Sequence, residues 1–324
     1  MERTTEARSA TAMKTLGRTG FPVTDVCVGT SSLGNHPRHG SAAERTEAAV
    51  AAVRAALAGP FNFLDTSNEY GHDGGSERWI GQALREAGGL PEGFVLSTKV
   101  DPVVGTADYS GDRVRRSVEE SLERLGLDTL PLVHLHDPEK ISFEEGVGAG
   151  GPLEALVDLR DQGMIGHLGV AGGPIGLELK YLATEVFDVV ISHNRYTLVD
   201  QSAEPLIEDA RRRGVAFMNA APFGGGMLVK GPDVTTNYCY RPASAEVLGR
   251  VRKMQDLCSE YAVPLAAAAL QFSTRDPRIT STIVGMAEPD RVPGTARLAR
   301  WSIPEEFWER VLPLAAGGNA GLVN

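Results

Sequence analysis

Residues 61–70 have the sequence FNFLDTSNEY, in which an apolar run ends on Asp65 and is followed by Tyr70. Three further apolar runs end on polar side chains in the same way: 94–99 (FVLSTK), which ends on Lys99, 130–136 (LPLVHLH), which ends on His136, and 189–196 (VVISHNRY). Continuous apolar runs of this length are typical of parallel strands that are buried on both faces. We expect the polar ends of these strands to meet and to form a proton-transfer site.

Short apolar runs and amphipathic segments alternate along the chain. The candidate strands are residues 26–30, 61–65, 94–99, 130–136, 165–170, 189–192, 215–219 and 282–285. The candidate helices between them are residues 42–58, 76–87, 112–125, 152–162, 176–184, 202–213 and 245–261. Eight strands that alternate with helices, without a break in composition, predict a (β/α)8 TIM barrel with its active site at the C-terminal ends of the strands. A doubly wound sheet is the alternative, but the G-x-G-x-x-G loop that would follow its first strand is absent.

The composition is that of a globular protein that acts on a small molecule. The 324 residues are 42% hydrophobic and carry a net charge of −10, which argues against a nucleic-acid partner. No apolar stretch is long enough to span a bilayer, and the three cysteines lack metal-ligand spacing. We therefore expect a cytoplasmic protein with free thiols and no membrane partner, and a homo-oligomer is possible. Residues 13–324 are expected to form one barrel domain, after a polar, disordered tail at residues 1–12.

A tyrosine, a lysine, an aspartate and a histidine at neighbouring strand ends can together move a proton. The Tyr70 phenol has an ordinary pKa of about 10, and a neighbouring Lys99 ammonium would lower that pKa by stabilising the phenolate. Asp65 would keep Lys99 protonated, and His136 would hydrogen-bond to a substrate oxygen. Such a site suits the reversible reduction of a carbonyl group by hydride from a nicotinamide. Taken alone, each residue has a structural alternative, since Asp65, for example, is also a common helix-capping residue.

The motifs that contain these residues resemble those of the aldo-keto reductase family. They are LGRTGFPVTDVCVGT (16–30), FLDTSNEYGHDGGSERWIGQAL (63–84), FVLSTKV, LGLDTLPLVHLHDPE, GHLGV, VISHNRYTLVDQ, GVAFMNAAPFGGGML and ITSTIVGMAEPDRV. The resemblance implies a (β/α)8 barrel that uses NAD(H) or NADP(H). It also implies that Tyr70 is the general acid and base, that Lys99 and Asp65 set its pKa, and that His136 orients the carbonyl. Residues 237–272 are most similar to the branch that holds L-fucose and D-threo-aldose 1-dehydrogenases, with pyridoxal 4-dehydrogenase nearby.

The same resemblance implies a set of cofactor-binding residues: Thr30, Asp65, His193, Tyr196, Pro222, Phe223, Gly224, Gly226, Gly285, Met286, Glu288 and Arg291. The family's nicotinamide-binding Ser-Asn pair is replaced here by Ala171 and Gly172, so His193 or Asn194 is expected to take over part of that contact. The resemblance implies that Tyr196 stacks on the nicotinamide ring. Glycines at 224–226 would allow the backbone to approach the pyrophosphate.

Glu288 bears on the choice between the two dinucleotides. It lies where many NADPH-preferring members of the family have a Lys-Ser pair that binds the 2′-phosphate. A carboxylate can hydrogen-bond a ribose 2′-hydroxyl but repels a 2′-phosphate, which favours NAD(H) over NADP(H). Arg291 is retained and supports the opposite choice, so NADP(H) stays as the alternative.

The substrate is less defined by the sequence. Loop residues after the strands give a set of candidate substrate contacts: His36, Asn68, His72, Asp137 and Tyr238. The best match within the family is an aldose 1-dehydrogenase that oxidises an L-fucose-like sugar to its lactone. An NADPH-dependent reductase of aldehydes and ketones, or a pyridoxal 4-dehydrogenase-like enzyme, is the alternative. A non-catalytic protein that keeps the nicotinamide site is a further alternative, and the four intact polar residues argue against it.

A metal-dependent TIM-barrel hydrolase is the alternative from another class. His134 and His136 lie on one face of a strand, and His193 with Asp137 or Asp65 could complete a metal site. However, His134 would lie one layer deeper in the barrel, where packing side chains are usual. We therefore expect a core histidine at this position and no metal.

Overall fold

The computed structural model describes residues 12–34, 41–71, 74–103 and 105–321. In these ranges the strands are β1 (Met13–Thr15), β2 (Pro22–Thr24), β3 (Val26–Gly29), β4 (Phe63–Asp65), β5 (Val95–Val100), β6 (Leu130–His136), β7 (Ile165–Gly172), β8 (Val189–His193), β9 (Ala216–Ala220), β10 (Asn237–Tyr238), β11 (Arg241–Pro242) and β12 (Ile279–Gly285). The helices are α1 (Ala42–Ala58), α2 (Gly75–Ala87), α3 (Gly111–Leu125), α4 (Phe143–Val147), α5 (Pro152–Asp161), α6 (Ile175–Leu182), α7 (Glu204–Arg213), α8 (Met227–Lys230), α9 (Ala245–Glu260), α10 (Leu265–Thr274), α11 (Arg291–Ala299) and α12 (Glu305–Ala315).

Eight of these strands form a closed parallel barrel in the order β12-β3-β4-β5-β6-β7-β8-β9. This confirms the predicted (β/α)8 fold. The helices pack their apolar faces on the outside of the barrel and form the larger of two hydrophobic cores. Because all eight strands run in the same direction, their carboxyl ends open at one rim, where loops can carry function.

The smaller hydrophobic core fills the barrel itself. The β1–β2 hairpin contributes Leu16 and Val23, which pack against barrel residues such as Phe63, Leu132 and Met218. Their side chains are fully buried. The barrel interior is therefore packed with side chains, beginning at the β1–β2 hairpin. A ligand can enter at the other end, where the carboxyl ends of the strands lie.

The sequence pattern located most elements and missed others. The helix at 42–58 and the strand at 130–136 have the predicted bounds, and Ser41 with Glu44 forms a capping box at the start of the helix. The predicted elements did not include strands β1, β2, β10 and β11 or helices α4, α8, α10, α11 and α12. Helix α10 (LAAAALQFST) is apolar on nearly all sides, so it lacks the one-sided pattern of a surface helix. The tail predicted at residues 1–12 lies, except for residue 12, outside the described residues.

Two expectations about the chain's surroundings can be compared with the structure. Within the described ranges, no helix combines the length and the apolar character that crossing a membrane requires. All three cysteines, Cys27, Cys239 and Cys258, are free thiols, as expected.

A glycine substitution tests how closely α2 packs on α3. A Cβ at Gly81 would collide with the carbonyl oxygen of Arg124, whereas in the described part of the chain no atom lies within 4 Å of a Cβ at Gly249 in α9. We expect Gly81→Ala to lower the free energy of unfolding by about 1–3 kcal/mol, because the backbone of α3 must move. The matched helical control, Gly249→Ala, should raise that free energy by about 0.5–1 kcal/mol. Denaturant unfolding of both variants measures the difference, and equal effects would contradict the packing described.

Candidate active site

A buried ion pair lies at the ends of β4 and β5. The Lys99 ammonium donates to Asp65 Oδ2 at 2.6 Å and to the Thr66 carbonyl oxygen at 2.6 Å. Asp65 Oδ1 accepts from Ser97 Oγ at 2.9 Å. Both charged side chains are almost fully buried, with 2% and 4% of their surface exposed. Burial alone would lower the pKa of Lys99, but the Asp65 carboxylate outweighs burial and raises that pKa, so the lysine stays a cation.

Tyr70 lies directly beside this pair. The Lys99 Nζ atom is 4.7 Å from the centroid of the Tyr70 ring, and that ring meets His136 edge-on with 5.7 Å between the ring centroids. Burial raises the pKa of Tyr70 to about 12, although Lys99 acts in the opposite direction. The expectation that Lys99 makes Tyr70 acidic is therefore corrected: the lysine limits the rise, and the side chain is a neutral phenol near pH 7.

His136, at the end of β6, is held by a residue that the sequence analysis did not single out. Its Nδ1 atom is 2.6 Å from Asp101 Oδ1. The His136 side chain is 10% exposed and lines the cleft, whereas the Asp101 side chain has no exposed surface. Because side chains alternate along a strand, the spacing from Lys99 to Asp101 could have shown that both share a face.

The four predicted catalytic residues all line one cleft at the carboxyl rim of the barrel. The cleft has a volume of about 790 Å³, which is in the range of small-molecule sites. Three non-glycine residues with left-handed backbone, Asp137 (φ 43°), Asn194 (φ 65°) and Ala221 (φ 58°), follow strands β6, β8 and β9 and also line it. Such backbone is costly for most residues and clusters at functional sites.

His193 and Glu139 offer a donor and an acceptor at one wall of the cleft. The Asn194 amide nitrogen is 3.0 Å from His193 Nδ1, and because an amide nitrogen only donates, Nδ1 accepts. Burial lowers the pKa of His193, so a neutral ring carries its hydrogen on Nε2. Gly172 and Gly173 leave space beside the Glu139 carboxylate, since a side chain at either position would contact it. A primary amide such as the nicotinamide carboxamide fits this donor and acceptor.

The opposite wall holds the residues expected at the other end of a dinucleotide. Thr30 and Gly285 line the cleft, and Gly285 is exposed. Met286 is buried, with its backbone N–H donating to Gly29 O at 3.0 Å. Glu288 is half-buried on the loop after β12, and Arg291 is exposed as the first residue of α11, so both lie in the segment where the sequence predicts the adenine ribose to bind.

Tyr196 does not occupy the place that the resemblance implied. Its hydroxyl donates to Asp276 Oδ2 at 2.6 Å, and its ring packs on Phe272 of α10 with 5.1 Å between centroids. The side chain is 5% exposed and belongs to the core between the helices. Stacking of Tyr196 on a nicotinamide is therefore corrected, because the chain after β8 turns outward and takes the ring away from the cleft.

Two expected substrate contacts are structural residues instead. Asn68 is buried and bonds to α3, where its Nδ2 donates to Ser117 O at 3.2 Å and its Oδ1 accepts from Arg113 at 3.2 Å. Tyr238 is buried too, and its hydroxyl donates to Asn194 O at 2.9 Å. Tyr240, which is 86% exposed, lines the cleft in place of Tyr238.

The remaining substrate candidates divide into two groups. Asp137 lies at the rim of the cleft, with Oδ1 3.7 Å from His136 Nε2, as expected for a substrate contact. His36 and His72 lie outside the described residues.

The glycine segment after β9 has a packing role of its own. Gly224, Gly225 and Gly226 all have positive φ, and a Cβ at Gly224 would collide with the Tyr238 ring. Pro222 is buried and Phe223 packs against the outer core, so their side chains are directed into the protein. These positions could contact a pyrophosphate through backbone N–H groups, but the packing alone already requires the glycines.

The metal site considered from the sequence is not assembled. His134 is fully buried, and Gly169 leaves room for its ring, since a side chain there would collide with it. Burial lowers the pKa of His134 well below its usual value. Among the described residues, two groups bring His and carboxylate atoms within 4.8 Å, namely Glu69, Asp101 and His136, and Asp137, Glu139 and His193, and His134 joins neither.

Comparisons with known proteins identify the family and agree with the fold. The model of the "Aldo/keto reductase family" matches residues 25–314. A pyridoxal 4-dehydrogenase from Microbacterium luteolum is 30% identical over 92% of this chain and 96% of its own. An L-galactose dehydrogenase from Arabidopsis thaliana is 32% identical over 86% of this chain and 85% of its own. A D-threo-aldose 1-dehydrogenase from a Pseudomonas species is 27% identical over 89% and 93%.

A solved structure shows the same fold across the whole chain. The holo form of an aldo-keto reductase from Bacillus halodurans superimposes with a TM-score of 0.73 at 20% identity, covering 97% of this chain and 98% of the other. The family match spans nearly the entire barrel, and Asp65, Tyr70, Lys99 and His136 all fall within it. The chain therefore belongs to the aldo/keto reductase family, and it is an oxidoreductase of a family that uses a nicotinamide cofactor.

Proposed function

We propose that this protein is an aldose 1-dehydrogenase that oxidises the anomeric carbon of a neutral, L-fucose-like sugar and releases a lactone. The observation that carries the proposal is the position of Tyr70, Lys99 and His136 at the base of a cleft whose rim is rich in carboxylates. Three such carboxylates, Glu69, Asp137 and Glu139, line the cleft. Two of the similar proteins act on sugars by name, which supports the same substrate class.

The charge of the rim selects among small substrates. Carboxylates accept hydrogen bonds from hydroxyl groups, so a polyol gains several contacts there. Lys140 lies 3.4 Å from Glu69 and 3.5 Å from Asp137 and neutralises only part of this wall. A phosphorylated or carboxylated substrate would face net repulsion, which favours a neutral sugar.

The protein's part in the reaction is to hold and move one proton. Oxidation starts from the Tyr70 phenolate, which forms when the phenol releases its own proton to solvent. The O–H bond of the anomeric hydroxyl then breaks and its proton goes to the phenolate oxygen, while the C1 hydrogen leaves as hydride and C1 becomes the lactone carbonyl carbon. The hydride acceptor in oxidation, and the hydride donor in reduction, would be a nicotinamide bound in the cleft. His136 donates a hydrogen bond to the same substrate oxygen, and Lys99 limits the cost of the Tyr70 phenolate.

Both walls of the cleft would hold the cofactor. His193 Nε2 would donate to the carboxamide oxygen and Glu139 would accept from the carboxamide nitrogen, in place of the contacts that Ala171 and Gly172 cannot make. At the other end Glu288 would accept from a ribose 2′-hydroxyl, and we propose NAD(H) as the preferred cofactor.

Reduction of an aldehyde or ketone is the second candidate function. It is favoured by the state of Tyr70, because a phenol with a pKa of about 12 is a proton donor at neutral pH. Tyr240 at the rim adds an aromatic surface that a pyridoxal ring could stack on. A panel of aldoses, aliphatic aldehydes, ketosteroids and pyridoxal, run in both directions with NAD and NADP, distinguishes these functions. Greater kcat/KM for any class other than the aldoses would contradict the first proposal.

Tyr70→Phe tests the proton-transfer role. The phenylalanine keeps the ring but removes the hydroxyl, so kcat should fall by about 10²- to 10⁴-fold while dinucleotide binding, measured by fluorescence titration, is retained. Tyr261→Phe is the matched control, since the Tyr261 hydroxyl contacts Arg310 on the surface and its loss should leave kcat unchanged. A Tyr70→Phe enzyme that keeps more than a tenth of kcat would contradict the role.

Glu288→Gln tests the proposed cofactor preference. Removing the charge should raise the ratio of kcat/KM for NADP to that for NAD by about tenfold, because repulsion of the 2′-phosphate is relieved. Glu306→Gln, on the exposed start of α12, removes an equal charge and should leave the ratio unchanged. Equal ratios in wild type and Glu288→Gln would remove the argument for NAD.

A further inference from the structure

A buried carboxylate holds the nitrogen of His136 that faces away from the cleft. We propose that Asp101 is a positioning residue, which fixes the Nδ1–H of His136, keeps the imidazole positively charged and presents Nε2–H to the substrate oxygen. The inference rests on the proposed oxidoreductase chemistry and adds a residue to it. Asp101 does not line the cleft, so it acts through His136 and touches no substrate.

Two side chains contact His136 Nδ1, namely Asp101 through Oδ1 at 2.6 Å and Ser67 through Oγ at 3.3 Å, and the Ser67 hydroxyl donates its own hydrogen to Asp101 Oδ2. An ionised carboxylate only accepts, so the 2.6 Å contact between Asp101 Oδ1 and His136 Nδ1 requires a hydrogen on Nδ1. A contact this short is typical of a charge-assisted hydrogen bond. With Nδ1 held, the ring has one nitrogen left, Nε2, for the cleft.

Asp101 itself is fixed from several sides. Its other oxygen, Oδ2, accepts from Ser67 Oγ and, at 3.2 Å, from the backbone N–H of Glu69. The Asp101 carbonyl accepts from Arg113 Nε at 2.9 Å. The carbonyl of His136 accepts from the Tyr109 hydroxyl. Both members of the pair are therefore held in place before any ligand binds.

The charge of Asp101 needs a positive partner because the side chain has no exposed surface. A buried ion without a counter-charge is strongly destabilising. Lys99, the nearest ammonium, already donates to Asp65 and to Thr66 O. Protonated His136 is the cation in direct contact with Asp101, so the two form a second buried ion pair beside the first.

The surroundings of His136 agree with this charge. The titratable groups that face it from the neighbouring elements are Asp101, Asp137, Glu139, Glu69, Tyr70, Tyr109, Lys99, His134 and His193. Burial alone would lower the pKa of His136, but Asp101 and then Asp137 outweigh it and raise that pKa. The pKa of Asp101 is lowered in spite of burial, and His136 is the leading cause.

A charged His136 has a direct consequence for catalysis. As a carbonyl is reduced, negative charge develops on its oxygen, and an imidazolium Nε2–H stabilises that charge better than a neutral donor does. The raised pKa means that His136 is charged at low pH and loses its proton as pH rises through that pKa. Reduction should therefore have an alkaline limb set by His136, at a lower pH than the loss of the Tyr70 proton.

The charge of His136 can be measured without any turnover. Nitrogen-15 NMR of the histidine side chains in the full-length protein, with the His136 signal assigned by its loss in His136→Gln, gives its pKa and tautomer. We expect both ring nitrogens of wild-type His136 to carry hydrogens at pH 6.5 and the pKa to exceed about 6.5. A wild-type pKa below about 6.5, or an Nδ1 without hydrogen at neutral pH, overturns the proposal whatever the enzyme's substrate.

Asp101→Asn separates the charge from the shape of the pair. The amide oxygen can still accept from Nδ1, but the negative charge is lost, so we expect the His136 pKa to fall by about 1–3 pH units. Asp137→Asn is the matched control, since it removes a half-exposed carboxylate 3.7 Å from Nε2 and should lower the pKa by less than half as much. Equal shifts in the two variants would contradict the special role of Asp101.

The pH dependence of kcat/KM should change together with the His136 pKa measured by NMR. In Asp101→Asn the alkaline limb of kcat/KM for reduction should move to lower pH by the same interval as the His136 pKa, with an unchanged melting temperature showing that the fold is intact. A pKa that moves while the pH profile does not would contradict the positioning role but leave the Tyr70 proposal standing. If Asp101→Asn does not fold, the wild-type titration still decides the charge of His136.

Discussion

The buried ion pair between Lys99 and Asp65 is the constraint on which the rest of the site depends. Removing two charges from water costs several kcal/mol per ion, and the cost is recovered only when further hydrogen bonds complete the pair. Here Ser97 and the Thr66 carbonyl supply those bonds. Their positions follow from the register of two parallel strands, in which Asp65 is paired with Ser97. The barrel is therefore the scaffold that makes a permanently charged lysine possible beneath Tyr70.

Asp101 and His136 form a second buried pair, which joins the end of β5 to the end of β6. Lys99 and Asp101 are two residues apart near the end of β5, and each of these strand-end positions joins a partner on a neighbouring strand. Tyr70 lies between the two pairs, 4.7 Å from Lys99 Nζ and edge-on to His136. Two cations and two carboxylates thus surround one neutral phenol, which carries the proton that the reaction transfers. Each of these buried charges lies beside a charge of opposite sign.

Strand periodicity in the sequence predicted the barrel and the residues at the strand ends. It predicted little about the side chains in the loops that follow the strands. The barrel and the meeting of Tyr70, Lys99, Asp65 and His136 follow from apolar runs that end on polar residues. The misplaced residues, Tyr196, Asn68 and Tyr238, all lie after a strand has ended, where the direction of a side chain is decided by tertiary packing. For Tyr196 the deciding partner, Asp276, is 80 positions away. Asp101 was overlooked although the two-residue period of a strand marks it, which makes an acidic residue at that spacing a useful signal.

The central claim is that Lys99 acts through the Tyr70 phenol. A double-mutant cycle of Tyr70→Phe and Lys99→Met, read out as the single-turnover rate of hydride transfer at saturating dinucleotide, tests it most directly. If the two residues act as one unit, their effects are strongly non-additive: we expect Lys99→Met to lower the rate by about 10²-fold or more in the wild-type background, but by less than about threefold when Tyr70 is already Phe. Additive losses, with Lys99→Met equally harmful in both backgrounds, would show that the lysine supports catalysis by some other route.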